Sequence, residues 1–432
     1  MNQATATQQS PGFLALTLSV IVCLALLINA SFKIIQLHGM MFSVHSMLCP
    51  LIAGFYLLAL LKCSIREQRH LLNISLMSLY AFCIGVYILV NLPAAEYMHD
   101  NPVYQIIFDD IPKKFFAVTI SFTFSFYLPH LLFFSKSNNT RLSPIQSALL
   151  ALSGGFSFFF LSFILLFSGS YIHNFHHILV DSMTVTVVIL LIISILLFLI
   201  SRCYPFHPPP IASDKKGVPL YPYLVCFASV IMLICLACEY HLVAFIDQNW
   251  VLSASALFFP MTLIISTIIG ERWGYPMQMK FSLSLITTQF VFDALLMGII
   301  SLPSPDLYNL NPFYNYIMFR RLPAASLALF ATFMSNAMLL HYLKQLNMKR
   351  PLRILIATVC ANSLLCFIDY GLLFGGIYPY DQIINLVANV WHYKLFITLI
   401  SLPFILKYCR YLEHSSSRAQ AKDLPSNGTE PH

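Results

Sequence analysis

Residues 13–35 read FLALTLSVIVCLALLINASFKII. These 23 residues hold no acid and one cation, Lys33, near the end. A helix crossing a hydrocarbon layer of about 30 Å needs about 20 apolar residues, so the run is long enough to span. Strands of an outer-membrane barrel would alternate polar and apolar residues, and this run does not. No Lys or Arg precedes Phe13 and the run exceeds a signal-peptide core, so it is expected to be a retained helix.

The rest of the chain repeats this texture. Of 432 residues, 58% are hydrophobic and 9% charged, and the mean hydropathy is +0.76. That excludes a set of soluble domains. Apolar runs between loop signals predict helices near 13–35, 46–62, 70–93, 115–135, 145–168, 178–200, 221–246, 251–270, 281–303, 318–343, 353–375 and 386–409. Twelve spans would occupy roughly 240 residues and leave short loops. The expected fold class is an all-α polytopic membrane protein. Its predicted segments are a cytoplasmic stretch 1–12, six helices in 13–200, a linker 201–220, six helices in 221–412 and a disordered polar tail 413–432.

A net charge of +7 would suggest nucleic acid in a soluble protein; here the surplus is assigned to the cytoplasmic membrane surface. Eighteen of the 24 Lys and Arg, among them Lys62, Arg66, Lys215, Arg272, Lys349 and Arg418, follow even-numbered helices or lie in the tail. Both termini are therefore expected in the cytoplasm of a bacterial inner-membrane protein. Lys113, Lys114, Arg320 and Arg321 sit at the outer mouth, and Lys33 and Lys394 inside or at the edge of spans.

The two groups of six can be laid over each other. Pro50 meets Pro260, Leu92-Pro93 meets Leu302-Pro303, and Asn101-Pro102 with Tyr104 meets Asn311-Pro312 with Tyr314, all at an offset of 210. At an offset of 207, Lys113-Lys114 meets Arg320-Arg321 and Phe167-Ser168-Gly169 meets Phe374-Gly375-Gly376. Ordered matches at nearly constant spacing predict a tandem duplication. Six is even, so the expected architecture is twelve transmembrane helices in two parallel six-helix repeats.

The stretch from Pro260 to Tyr275, PMTLIISTIIGERWGY, resembles the signature of the queuosine precursor transporters, also called the vitamin uptake transporter family. Glu271, Gly274 and Tyr275 match; Thr267 stands where that family has an acid. Arg320-Arg321 followed by Asn336 resembles the family's arginine and aspartate spacing, again with the acid replaced. Asp369 resembles the aspartate of the next helix, and Lys394 with Pro403 the lysine and proline of the last. In a degenerate first half, Asn29, Lys33 and Asp181 resemble the same template. The resemblance implies a secondary transporter or facilitator, not an enzyme, importing a 7-deazaguanine-type base for queuosine synthesis. It also implies substrate-site residues at Glu271, Arg320, Arg321, Asn336, Asp369 and Lys394, to which Glu239 and Asp293 are added as acids inside predicted spans.

Independently of any family, Asp181, Glu239, Asp293 and Asp369 fall inside predicted spans. A charge at bilayer centre costs about 2.5–3.5 kcal/mol on insertion scales, so such acids face a cavity or a partner. A planar base offers donors to carboxylates and faces for Trp391, Tyr393, Phe290 or Phe292, with Arg320 or Lys394 at its acceptors. Alternatively Asp369 and Lys394 only neutralise each other. Glu271 with Arg272 can also be read as a solvated pair, and Gln289 with Asp293 as an interhelical clamp. At the repeat offset, Glu239, Glu271, Asp293, Asp369 and Lys394 meet Asn29, Leu61, Cys83, Ser162 and approximately Val187, so charge is expected to matter in the second half.

Other motifs carry less. Cys235-Leu-Ala-Cys238 lacks a second pair, which points to helix packing and neither zinc nor disulfide. His173-Asn-Phe-His176-His177 has the spacing of a membrane desaturase iron box, but the further boxes are missing and an acid-sensing or solvated role fits better. No dinucleotide, Walker A or Ser-His-Asp pattern is visible, so no cofactor, metal or ATP hydrolysis is expected. The expected partners are a small solute and membrane lipid, with homo-oligomer formation left open. Another vitamin-like solute, or a non-transporting scaffold or regulator, is the alternative function.

Overall fold

The computed structural model describes residues 12–95, 111–136, 142–168, 175–203, 220–244, 250–305 and 311–422. These form twelve helices: α1 Phe13–Asn29, α2 His45–Lys62, α3 Ile65–Val90, α4 Ile111–Phe122 continuing through a π-helical turn Thr123–Tyr127 into Leu128–Lys136, α5 Pro144–Phe167, α6 Phe175–Cys203, α7 Leu220–Ala237, α8 Ser255–Trp273, α9 Tyr275–Ser301, α10 Asn311–Gln345, α11 Arg350–Phe374 and α12 Tyr380–Lys422. Eleven are long and apolar enough to cross a membrane, and the chain is a multi-pass membrane protein. The exception is α1, with 17 residues. Much of the linker and His173 lie outside the described residues. α12 continues to Lys422, into the stretch read as a disordered tail.

Local chemistry marks several boundaries. Ser64 and Ser143 each accept from the backbone three residues on, and Glu67 and Gln146 return the bond, closing capping boxes on α3 and α5. Gly274, at φ +84°, lets the chain turn sharply from α8 into α9.

The chain is not purely helical. Ile34 and Ile35, expected at the end of the first span, belong to strand β1 (Ile34–Leu37), which pairs antiparallel with β2 (Met40–Ser43). Residues 242–244 and 251–253, expected in the seventh and eighth spans, form β3 (Leu242–Ala244) and β4 (Val251–Ser253). The first hairpin turns on His38-Gly39, both with positive φ, as a two-residue hairpin loop demands.

At about 1.5 Å per residue, 17 residues give α1 roughly 26 Å, short of a full crossing. The base of the hairpin after it, Ile34, Ile35, Phe42 and Ser43, is buried while its tip is exposed, and the two strands pair each other's backbone groups. Gln36 N–H donates to the Pro303 carbonyl at 2.9 Å, Ala244 N–H to Pro93 at 3.0 Å, and Ala95 N–H to Leu242 at 2.9 Å. Each hairpin thus ties to the end of the third helix in the other half of the chain.

At the centre α1 packs on α3, α7 and α9, and α7 on α3 and α9. α2 joins α1 to α5 and α6, while α8 joins α7 to α9, α10 and α12. In α6 and α12 only 22% and 17% of the spanning window is buried, so these two helices turn mostly outward, toward lipid.

Gly155 marks the closest approach of α5 to α2 and α6: a Cβ there would lie 2.6 Å from the Ala53 Cβ and 3.1 Å from a Leu190 methyl. Ala53 cannot swing aside, so Gly155→Ala should cost about 1–3 kcal/mol in detergent thermal unfolding. Gly298 in α9 has nothing within 4 Å, and Gly298→Ala should leave stability unchanged or raise it by up to about 1 kcal/mol. Equal melting shifts for the two would contradict this packing.

Candidate functional site

α7 stops at Ala237, and the turn that follows carries Glu239. The turn is held by Ser253, whose hydroxyl donates to the Glu239 carbonyl at 2.7 Å and lies 2.8 Å from the Ser255 hydroxyl at the start of α8. Cys235 Sγ donates to the Ser255 carbonyl at 3.4 Å. Glu239 is thereby pinned beside α8 and shares a cavity with Asp369 on α11.

These acids line a small cavity with Ser255, Phe259, Tyr370 and Lys394. Lys394 Nζ lies 4.9 Å from the centre of the Phe259 ring and 5.5 Å from that of Tyr370. Tyr370 stacks parallel on Phe374. No ion pair within 4 Å joins Lys394 to Asp369 among the described residues; the two share a cavity and not a bridge. The space is about 20 Å³, enough for about one water. A bicyclic solute would therefore need the surrounding helices to part.

Arg321 and Asp293 stand next to the cavity and form a buried ion pair, Nη2 to Oδ1. Arg321 Nη1 also donates to the Leu236 carbonyl at 3.0 Å, capping the end of α7. Gln289 Nε2 donates to Asp293 Oδ2 at 2.8 Å, and Ser326 donates to Gln289 Oε1 at 3.2 Å. The Gln289–Asp293 stripe is thus the interhelical clamp between α9 and α10. Arg320 donates to the Gly375 carbonyl after α11.

The remaining expected residues lie elsewhere. Glu271 is buried between Arg350 and Arg353, which donate to both its oxygens and fasten α8 to the start of α11. Its partners are these two arginines, not the neighbouring Arg272 expected from sequence. Asn336 donates to the Ser266 hydroxyl at 3.3 Å, as does Gln278 at 3.2 Å, and Thr267 is buried nearby on α8. Glu271 follows Ser255 by sixteen residues on one helix, so it sits about 24 Å from the cavity end.

The aromatic expectation needs correction. Phe290 is 51% exposed and points outward, Phe292 is buried in the core, and Trp391 and Tyr393 spend their polar atoms on Ser363 and the Leu257 carbonyl. The rings at the cavity are Phe259 and Tyr370. Tyr370's place directly after Asp369 was the one sequence signal for either.

In the first half, Ser162 is buried and donates to the Phe159 carbonyl at 3.0 Å, beside Cys49. Lys33 Nζ donates to the Leu302 carbonyl at 2.8 Å and to Ile300, at the end of α9. Asp181 accepts from Met41 N–H at 2.9 Å and meets His177 at 3.3 Å, docking β2 on α6.

A family model described as "Putative vitamin uptake transporter" matches residues 253–408, from β4 to the last turns of α12 before the tail. No curated protein and no solved structure matches the chain.

The Arg321–Asp293 pair makes a prediction independent of any solute. Breaking a buried pair strands one charge, typically at about 3–5 kcal/mol. Arg321→Met and Asp293→Asn should each lose that much in detergent unfolding, and the double variant less than their sum. Strict additivity would mean that the two groups do not interact. The cavity, with most of its lining, lies in the part of the chain that is similar to that vitamin-uptake family.

Proposed function

We propose that the chain is an inner-membrane secondary transporter for a 7-deazaguanine-type base, and not an enzyme. The observation that carries this reading is the cavity within the second half, where Glu239, Asp369 and Lys394 meet between the rings of Phe259 and Tyr370. Carboxylates accept from ring and exocyclic N–H groups, the ammonium donates to a ring or carbonyl acceptor, and the aromatic faces take a flat heterocycle. Another vitamin-type solute is the second reading, favoured by the description of the matched family.

We read the fold as two parallel repeats, the second carrying the site. Recurring contacts support this. Lys113 Nζ donates to the Ser168 carbonyl after α5, and Arg320 donates to Gly375 after α11, both pairs 207 apart. Lys33 bonds the backbone at Leu302 while His241 bonds the backbone at Leu92. Backbone bonds from Lys33 to Ala30 and from His241 to Cys238 set an offset of 208 there, which places Glu239 opposite Ser31 and not opposite Asn29. The second hairpin, longer by two residues, restores 210: Met47 bonds Val44 as Leu257 bonds Ala254.

Both termini are assigned to the cytoplasm on the cation count. Cysteine-accessibility labelling should find positions near Lys215 and Arg418 inside and positions near Asp306 and Asp381 outside. External labelling of the linker would invert the topology.

Uptake decides the function. Reconstituted protein should accumulate radiolabelled 7-cyano-7-deazaguanine, and its gene should complement a bacterium unable to import that base. Asp369→Asn should abolish uptake, whereas Ser162→Ala should retain most of it. Uptake of a different vitamin with no response to the deazaguanine would favour the second reading. No uptake of either would leave a scaffold or regulator.

A further inference from the structure

The cavity group has an excess of one acid. From every element around it the charged groups are Glu239 on the turn after α7, Asp293 on α9, Arg321 on α10, Asp369 on α11 and Lys394 on α12. Three acids face two cations. The other titratable neighbours, Cys235, Cys238, Tyr240, Cys366 and Tyr370, are thiols and phenols that add no positive charge. Arg321 and Asp293 satisfy each other, which leaves Lys394 with two carboxyl groups.

Two further observations concern those carboxyls. They line the same cavity, and two buried carboxyl groups sharing one site do not both ionise cheaply, so one proton between them removes the repulsion. One oxygen of each, Glu239 Oε2 and Asp369 Oδ1, is buried on a cavity-lining residue 5% or 6% exposed and has no hydrogen-bond donor. Buried acceptors without donors are costly, so the site is built to receive something that donates.

We infer that Glu239 and Asp369 share one exchangeable proton and that this proton is the ion coupled to solute movement. The inference rests on the transport reading above. With the proton in place the group of five is neutral, and the remaining carboxyl lone pairs can accept from a donor-bearing base. Without it, closing helices around about 20 Å³ would trap an uncompensated negative charge away from water. Closure is therefore permitted when the proton is aboard, and the proton travels with the solute.

Infrared spectroscopy of the full chain in liposomes reads the shared proton without any solute. The wild type should show a neutral carboxyl band at neutral pH, shifted by deuterium exchange. Glu239→Gln and Asp369→Asn should each remove it, because either leaves two acids against two cations. A wild-type spectrum without the band, or a band that survives both substitutions, overturns the inference, and the wild-type result stands even where a variant fails to fold.

Coupling is read separately, with 7-cyano-7-deazaguanine as the probe in proteoliposomes. An inward proton gradient should raise its initial uptake several-fold, a protonophore should cancel the gain, and internal pH should fall as solute enters. Uptake that ignores the gradient overturns proton coupling while leaving transport intact. A wild type that moves no such base refutes the transport reading, and coupling with it, while the infrared band still decides whether the proton is shared.

Discussion

Inside a bilayer no water is at hand for a backbone group left unpaired, and α1 stops before a crossing is complete. The rest of the architecture answers that constraint. The chain after α1 folds into a hairpin, and the chain after α7 does the same; each finds partners on the third helix of the opposite half. Lys33 and His241 reinforce the arrangement by bonding backbone at Leu302 and Leu92. A helix C-terminus concentrates negative potential, so an ammonium over the last carbonyls of α9 is well placed. The halves are therefore locked together at the ends of α3 and α9. The turn carrying Glu239 is a by-product of the same early stop.

Once Glu239 is fixed there, the charges divide into two kinds. Asp293 with Arg321, and Glu271 with Arg350 and Arg353, are satisfied pairs that join helices. Such pairs add little net stability over an apolar contact, but each makes one helix register much better than its neighbours. Glu239, Asp369 and Lys394 are different. Their polar atoms point at one cavity, two carboxyl oxygens lack partners, and the ammonium rests against aromatic faces.

Helix positions were legible because a span announces itself by length and lack of charge, and nine of the twelve predicted runs differ from the observed helices only at their ends, the other three taking in strand residues. The hairpins were not legible. Strands of three or four apolar residues beside an apolar helix have no period to set them apart, and the positive-φ pair His38-Gly39 is a short signal in a long run. The cost of burying charge found Glu239, Asp369 and Lys394. It could not tell a cavity from a clamp, so Asp293 and Arg321 were grouped with them. Phe259 and Tyr370 were missed because an aromatic ring in an apolar helix looks the same whether it faces core, lipid or solute. Glu271 and Asn336 entered through resemblance alone, and the structure sets them at the far end of α8 in a separate polar junction.

The closed cavity also says which helices have to move on the transport reading. α8, α10 and α12 each carry an interior proline, Pro260, Pro323 and Pro403, where a backbone bond is missing and bending is cheap. α7 has no such break between Leu224 and Ala237, and α11 has its proline at the first turn only. Glu239 follows the stiff α7 and Asp369 rides on the stiff α11, while Phe259, Ala325 and Lys394 ride on helices that bend. An opening that keeps the two carboxyl groups together therefore swings the ring of Phe259 and the ammonium of Lys394 aside. On that reading the acids would form the fixed wall, with the ammonium of Lys394 and the ring of Phe259 closing over the solute.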